Sequence, residues 1–273
     1  MDDQILAIYC ICDDLLKALG HWEDPQRRMN DAEVMTTAIV AALQCGGNFE
    51  RARAWLSSPR YIPQMISKSQ FNRRLHAISS LFMQVFHLLG ETFKQMNASA
   101  LYLIDSFPIA VCDNIRIPRA KIYQEEKYRG YTASKRRYFY GLKIFLLVTA
   151  QGEPVEMFLV PGSTGDVSAL DAFGFDLPEG STVYGDSAFT LYNLEDVMKE
   201  AAGINLEPMR KKNSKRKVPG WVAYLQARGR KMVETAGSLI ERLLPKSIHA
   251  VTSQGFELKV MLFVLASSIS RAV

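Results

Sequence analysis

The chain of 273 residues carries 33 Lys and Arg against 28 Asp and Glu, a formal net charge of +5, and is 48% hydrophobic and 22% charged. Those proportions exclude a disordered or fibrous chain and allow one large domain or two small ones, each with a substantial core. Cys10, Cys12, Cys45 and Cys112 fit neither a Cys-x-x-Cys zinc site nor a disulfide scaffold, Asp2 and Asp3 stand where a leader would be basic, and the apolar run 260–269 is too short to span a bilayer, so a cytoplasmic protein is expected.

Residues 1–98 read as a small helical domain. Apolar residues recur at three and four positions in Ile5, Ile8, Tyr9, Cys12, Leu15, Leu16 and Leu19, then in Val34, Thr37, Ala38 and Ala41. Breaks at 20–25, at Gly46-Gly47-Asn48 and at 59–63 divide the stretch into several short helices. Ser67-Lys68-Ser69-Gln70 has the spacing of a capping box and is followed by Phe71, Leu75, Ile78, Leu81 and Phe82 on one face. Arg73, Arg74 and His76 then project from the other side. A helix-turn-helix that reads terminal DNA sequence would present its arginines in this way, and so would an ordinary amphipathic helix with solvated arginines.

From Leu101 onward the pattern changes to short apolar runs bounded by Gly, Pro and charge. Strands are predicted at 101–105, 138–149 and 155–160, the last two joined through Gln151-Gly152-Glu153-Pro154, with Lys143 needing an edge or a snorkelling path. A helix near 166–173, a strand at 182–186, a helix over 191–202 and a short strand at 204–206 follow. Helices near 231–244 and 256–268 close the chain. Antiparallel strands first, then strands alternating with helices, predict an α/β domain over 99–273 with a mixed sheet flanked by helices.

The basic charge is segregated. Residues 116–143 hold nine basic side chains (Arg116, Arg119, Lys121, Lys127, Arg129, Lys135, Arg136, Arg137 and Lys143) against Glu125 and Glu126. Residues 209–231 hold nine more (Arg210, Lys211, Lys212, Lys215, Arg216, Lys217, Arg228, Arg230 and Lys231) and no acid. The windows carry +7 and +9 against a total of +5, which leaves the rest of the chain at −11. Clusters of this kind suit a polyphosphate partner, because each neutralised phosphate releases condensed counterions. Tyr123, Tyr128, Tyr131, Tyr138 and Tyr140 interleave the first window, placed either to stack on bases or to pack within a sheet.

Asp105 and Asp186 each end an apolar strand and are each followed by Ser and a loop. A carboxylate at the carboxyl end of a strand points into the crevice where α/β sheets bind ligands, and a charge there needs a hydrogen bond or a cation. A third acid on a helix would complete an oxygen-rich site for Mg²⁺ or Mn²⁺. Glu234, in Arg230-Lys-Met-Val-Glu234-Thr235, and Glu241, about two turns further along nearly the same face, both qualify on spacing. Asp166, in Pro161-Gly-Ser-Thr-Gly-Asp166, fits either an N-cap or a supporting position behind the metals, and Lys211 and Lys212 follow a strand closely enough to clamp DNA beside them. Read purely as structure, Asp105 and Asp186 cap turns and Glu234 pairs with Arg230.

The segments Tyr102-Leu-Ile-Asp105-Ser-Phe-Pro-Ile, Val183-Tyr-Gly-Asp186-Ser-Ala-Phe and Arg230-x-x-x-Glu234-Thr resemble the DDE transposases of bacterial insertion sequences, in particular the insertion-sequence family numbered 982. The likeness extends over nearly the whole chain, including Ser69-Gln-Phe-Asn-Arg-Arg-Leu-His76 and the stretch from Ile248-His-Ala-Val-Thr252 to Gly255-Phe-Glu-Leu-Lys259. It implies a ribonuclease-H-like catalytic domain in which Asp105, Asp186 and Glu234, in preference to Glu241, hold two Mg²⁺ or Mn²⁺ ions. It also implies cleavage at transposon ends, strand transfer into target double-stranded DNA, and a homodimer in the active complex. One departure is Ala236-Gly237 where an aromatic is expected, since Gly weakens a helix interior by about 1 kcal/mol. The alternatives are a metal-dependent nuclease without strand transfer and a transposase-derived DNA-binding protein without cleavage.

Overall fold

The computed structural model describes residues 2–132, 136–171, 173–211, 213–244 and 248–272. The chain forms two compact units, Met1–Leu89 with Ile240–Val273, and Gly90–Leu239. No helix among the described residues is long and apolar enough to cross a membrane.

The first unit is helical and holds α1 (Asp2–Ala18), α2 (Asp31–Gln44), α3 (Phe49–Leu56), α4 (Lys68–Ala77), the start of α5 (Ser79–Met96) and, from the far end of the chain, α9 (Ser253–Ala272). In α1 the expected stripe is buried at Ile5, Ile8, Cys12 and Leu16. Helix α2 starts at a capping box, with the Asn30 side chain accepting from the Glu33 N–H and the Glu33 carboxylate accepting from the Asn30 N–H, both at 2.7 Å. Small and apolar residues on every side let α2 bury almost its whole surface, and α1, α3, α4 and α9 pack around it. The apolar run 260–269 belongs to α9 and is buried throughout. The predicted box at Ser67 and Gln70 is present and starts α4, whose Phe71 and Leu75 face the core.

The second unit is a mixed six-stranded sheet flanked by helices. Its strands are β1 (Leu101–Cys112), β2 (Arg129–Thr132), β3 (Arg137–Thr149), β4 (Pro154–Pro161), β5 (Thr182–Gly185) and β6 (Asn205–Pro208). The order is β2-β3-β1-β5-β6, with β4 also paired to β3. The pairs β1–β3, β2–β3 and β3–β4 are antiparallel, and β1–β5 and β5–β6 are parallel. The helices are α6 (Asp166–Asp171), α7 (Tyr192–Ala202) and α8 (Gly220–Leu243), the last continuing into the first unit. Gly229 and Gly237 set α8 against β1. A Cβ on Gly229 would stand 2.5 Å from Leu103 Cδ2, and one on Gly237 would stand 3.5 Å from Phe107 Cδ1. Eight helical residues span about 12 Å and four strand residues about 13 Å, so α8 runs along β1.

Several boundaries differ from the sequence reading. Strand β1 continues past residue 105 through Pro108, which pairs with Lys143, and β2 was not predicted. Helix α8 starts at Gly220 instead of 231 and passes unbroken through Gly237. The expected 99–273 division kept the last helix with the sheet, whereas α9 packs on α2 because both are buried nearly all round.

Candidate active site

Strands β1 and β5 are parallel neighbours with Leu101 opposite Thr182 and Leu103 opposite Tyr184, and that register continued by two residues sets Asp105 level with Asp186. Gly185 makes this packing possible, since a Cβ there would stand 2.9 Å from the Phe189 ring and 3.0 Å from Ile104 Cγ2. Each carboxylate engages one oxygen in a local bond. Asp105 Oδ1 accepts from the Ser106 N–H at 2.8 Å, and Asp186 Oδ1 accepts from the Ala188 N–H at 2.7 Å, capping a short 3-10 turn.

Side chains alternate along β1, so Asp105 lies on the same face as Leu103 and Phe107, the face that α8 covers. Glu234 falls on α8 between Gly229 and Gly237, over that part of the strand, while Glu241 lies a further turn beyond Gly237. Burial pushes the Asp105 carboxyl up to about 6; the negative charges of Asp186 and Glu234 add to the rise, and the Ser106 N–H and Arg230 oppose it. Leu103, Asp105, Tyr184, Asp186, Gln226 and Arg230 line a narrow cleft here. Gln226 is buried and donates to the Glu207 carbonyl of β6 at 3.0 Å, tying α8 to the sheet.

Arg230 is the cation among these acids. Its Nε donates to Glu234 Oε1 at 2.7 Å, with both side chains about half exposed. The Glu234 carboxylate raises the guanidinium pKa, with smaller contributions from Asp186 and Asp105. Two of the local pairings that a purely structural reading expects are therefore present, the Asp186 cap and the Arg230–Glu234 pair. The ligand oxygens of Asp105, Asp186 and Glu234 are not among the described groups that lie within 4.8 Å of one another. The described group of that kind in the helical unit, His21, Glu23 and Asp31, is an ion-pair network, because Arg27 and Arg74 already neutralise its buried Asp31.

Asp166 stands inside the first turn of α6 and not at its cap. Its Oδ1 accepts from Ser106 Oγ at 3.1 Å and from Lys143 Nζ at 3.0 Å. Lys143 and Ser106 were not nominated as site residues from sequence; a lysine within an apolar strand was the one available signal of a buried partner.

The nominated basic residues divide by partner. Arg73, Arg116, Arg119, Lys121, Arg136, Arg137, Lys211, Lys215 and Lys217 are exposed. Lys135 and Lys212 lie outside the described residues. Arg74 and Arg210 are engaged internally, contrary to the expectation that they face DNA, and Arg216 is exposed but ion-paired. Arg74 donates to Asp31 and to the Met29 carbonyl. Arg210 holds Glu195 through two bonds of 2.8 and 2.7 Å with its side chain 10% exposed, and Arg216 pairs with Asp196 at 2.7 Å and Glu195 at 3.2 Å. Desolvating Glu195, whose side chain is 5% exposed, requires such a cation, so Arg210 is spent on the fold, while Arg216 and Asp196 form a surface pair.

Curated proteins and solved structures return no match to the chain. A protein family described as transposase DDE domain matches residues 95–248, which takes in β1 with Asp105, β5 with Asp186 and α8 with Glu234. That match covers more than half of the chain, which belongs to the transposase DDE domain family, enzymes that act on DNA in transposition and recombination with divalent metal.

Proposed function

We propose that this protein cleaves phosphodiester bonds at transposon ends and joins the resulting 3′ ends to target double-stranded DNA, using Asp105, Asp186 and Glu234 as carboxylate ligands for two Mg²⁺ or Mn²⁺ ions. The observation that carries the reading is the level placement of Asp105 and Asp186 on adjacent parallel strands beneath the helix that bears Glu234. The sheet, in which β1, β3 and β4 are joined by antiparallel pairs and β5 and β6 run parallel to β1, agrees with a ribonuclease-H-like fold. An all-oxygen donor set of carboxylates suits these ions. When bound, the metal lowers the pKa of an attacking water or 3′-hydroxyl and stabilises the departing oxygen.

The chain's own groups prepare the site. The Asp105 carboxyl is raised mainly by burial and further by the like charges of Asp186 and Glu234, which a cation would relieve. Arg230, which holds Glu234, would be free to contact a DNA phosphate if Glu234 held a metal. Asp166 supports Asp105 through Ser106. The exposed basic residues Arg116, Arg119, Lys121, Arg136, Arg137, Lys211, Lys215 and Lys217, together with Lys135 and Lys212, position the DNA backbone, and the N-terminal helices with Arg73 recognise the ends. The reading includes membership of the insertion-sequence family numbered 982, a bacterial cytoplasmic setting and a homodimer that pairs two ends.

Purified protein incubated with its element's end DNA and Mg²⁺ tests the proposal. Asp105→Asn and Asp186→Asn are expected to bind end DNA and fail to cut it, and full cleavage by both rejects the assignment. Joining of labelled 3′ ends to a plasmid separates strand transfer from nuclease action alone.

A further inference from the structure

The stretches 69–76 and 248–259, from opposite ends of the chain, play no part in the carboxylate chemistry, yet both reach one cavity of about 490 Å³ in the helical unit. Asn72 lines it from α4, His249 and Lys259 line it from the C-terminal segment, and the turn Gly46-Gly47-Asn48 with Phe49 forms another wall. Gly46 and Gly47 have φ of +58° and +77°, and a Cβ on Gly47 would stand 2.8 Å from Phe263 Cζ, so this turn lies against α9 only because it is glycine.

The lining carries two lysines, Lys68 and Lys259, and one acid, Glu50. Lys259 is half-buried; its Nζ donates to the His249 carbonyl and lies 5.5 Å from the Phe49 ring centroid, and no carboxylate among the described residues is ion-paired to it. Burial lowers its pKa, so the ammonium is held there at a cost, with no ion-paired carboxylate among the described residues. Lys68 is exposed at the same cavity. The acid in the lining, Glu50, is held by Arg53 Nη1 at 2.8 Å through both oxygens. Glu50 is thus neutralised by its own helix, and the two lysines suit a group with several acceptor oxygens and negative charge.

We propose that this cavity is a phosphoryl-anion site, with Lys259 and Lys68 as counter-charges and Asn72 as a neutral partner, and that it takes a phosphate of the nucleic-acid backbone. A phosphate supplies acceptors for the remaining Lys259 ammonium protons in charge-assisted bonds. The inference rests on the chain acting on DNA and is independent of which acids hold metal.

Anisotropy of a labelled duplex of arbitrary sequence, titrated with the full chain across a salt series, tests it. Each lost phosphate contact lowers the log–log salt slope by about 0.9, which is on the order of a tenfold loss of affinity near 0.1 M salt. Lys259→Met, which keeps the apolar stem beside Phe49, and Lys68→Met, at an exposed position, are each expected to show that change, and Lys259→Arg to restore it. Unchanged slope and affinity in both folded Met variants overturn the site. Amine labelling of Lys259 separates the sources: protection by duplex and not by inorganic phosphate identifies the DNA backbone, protection by inorganic phosphate alone identifies a small-anion site, and protection by neither overturns the proposal. Cleavage measured in parallel on Asp105→Asn keeps the two assignments apart, since a lost cut with an intact salt slope leaves this cavity standing.

Discussion

Lys143 on β3 pairs with Asp166 on α6 at 3.0 Å, and the same Asp166 oxygen accepts from Ser106 Oγ at 3.1 Å. Ser106 in turn gives its N–H to Asp105, so an ion pair on one face of the sheet steadies the backbone that carries a candidate metal ligand on the other. Lys143 also donates to the Thr164 carbonyl at 2.9 Å, a second partner for a lysine set between the buried Leu142 and Ile144. Lys143→Met leaves Asp166 without its cation and is expected to cost about 2 kcal/mol in urea unfolding. It is also expected to raise the Mg²⁺ concentration needed for half-maximal cleavage, with Lys143→Arg recovering part of both. Unaltered unfolding and metal dependence would show that the pair steadies nothing.

Gly229 and Gly237 of α8 make opposite expectations. Gly229→Ala places a methyl 2.5 Å from Leu103 Cδ2 and should lift the helix from β1, destabilising the protein by about 1–3 kcal/mol and impairing cleavage more than DNA binding. Gly237→Ala meets Phe107 at 3.5 Å, an ordinary contact, and should stabilise by up to about 1 kcal/mol through helix propensity with cleavage retained. Thermal unfolding and cleavage rates of the two variants check both. Equal effects would mean that α8 does not run against β1 as described.

Arginines spent inside the fold separate from lysines on the surface. Arg210→Ala strips Glu195 of its bidentate partner and should cost on the order of 3 kcal/mol of stability. Lys211→Ala should leave the unfolding midpoint where it is and reduce the salt slope of DNA binding by about 0.9. A reversal of these two outcomes would exchange their roles.

Asp31 ties stability to pH. It is fully buried, which pushes its carboxyl up, but bonds from His21, Arg74 and Arg27 outweigh burial and hold it below the usual carboxylate range. A depressed folded-state pKa means that ionised Asp31 contributes stability at pH above its unfolded value, near 3.8, and that this contribution is lost as pH falls through the lower folded value. Asp31→Asn is therefore expected to cost about 3–5 kcal/mol at neutral pH and progressively less in acid. Urea midpoints measured for both proteins from neutral pH down to acid follow the difference, and a gap that does not narrow would remove the ion network as its cause.

Much of the fold was readable from residues close together in the chain. The Ser67–Gln70 capping box, the buried stripe of α1 and the breaks at 20–25 and 46–48 depend on bonds and periodicities within a few residues, which sequence displays directly. The start of α8 was not readable. Between 220 and 230 its buried positions are Val222 and Gln226, with Gly229 half-buried, while Trp221 and Tyr224 are each 68% exposed, so the apolar pattern points away from the face that packs.

The sequence by itself determined most of the element types, an acid on the first strand and another just after the fifth, the third acid that follows on a helix, and the segregation of basic charge. Only the tertiary structure decided that α9 joins α2, that Arg73 faces solvent while its neighbour Arg74 reaches an aspartate 43 positions away, and that Arg210 and Arg216 serve α7. The reason is physical: local propensity acts over a turn or two of chain, whereas the partner of a charge is whatever group the folded path brings within a few ångströms.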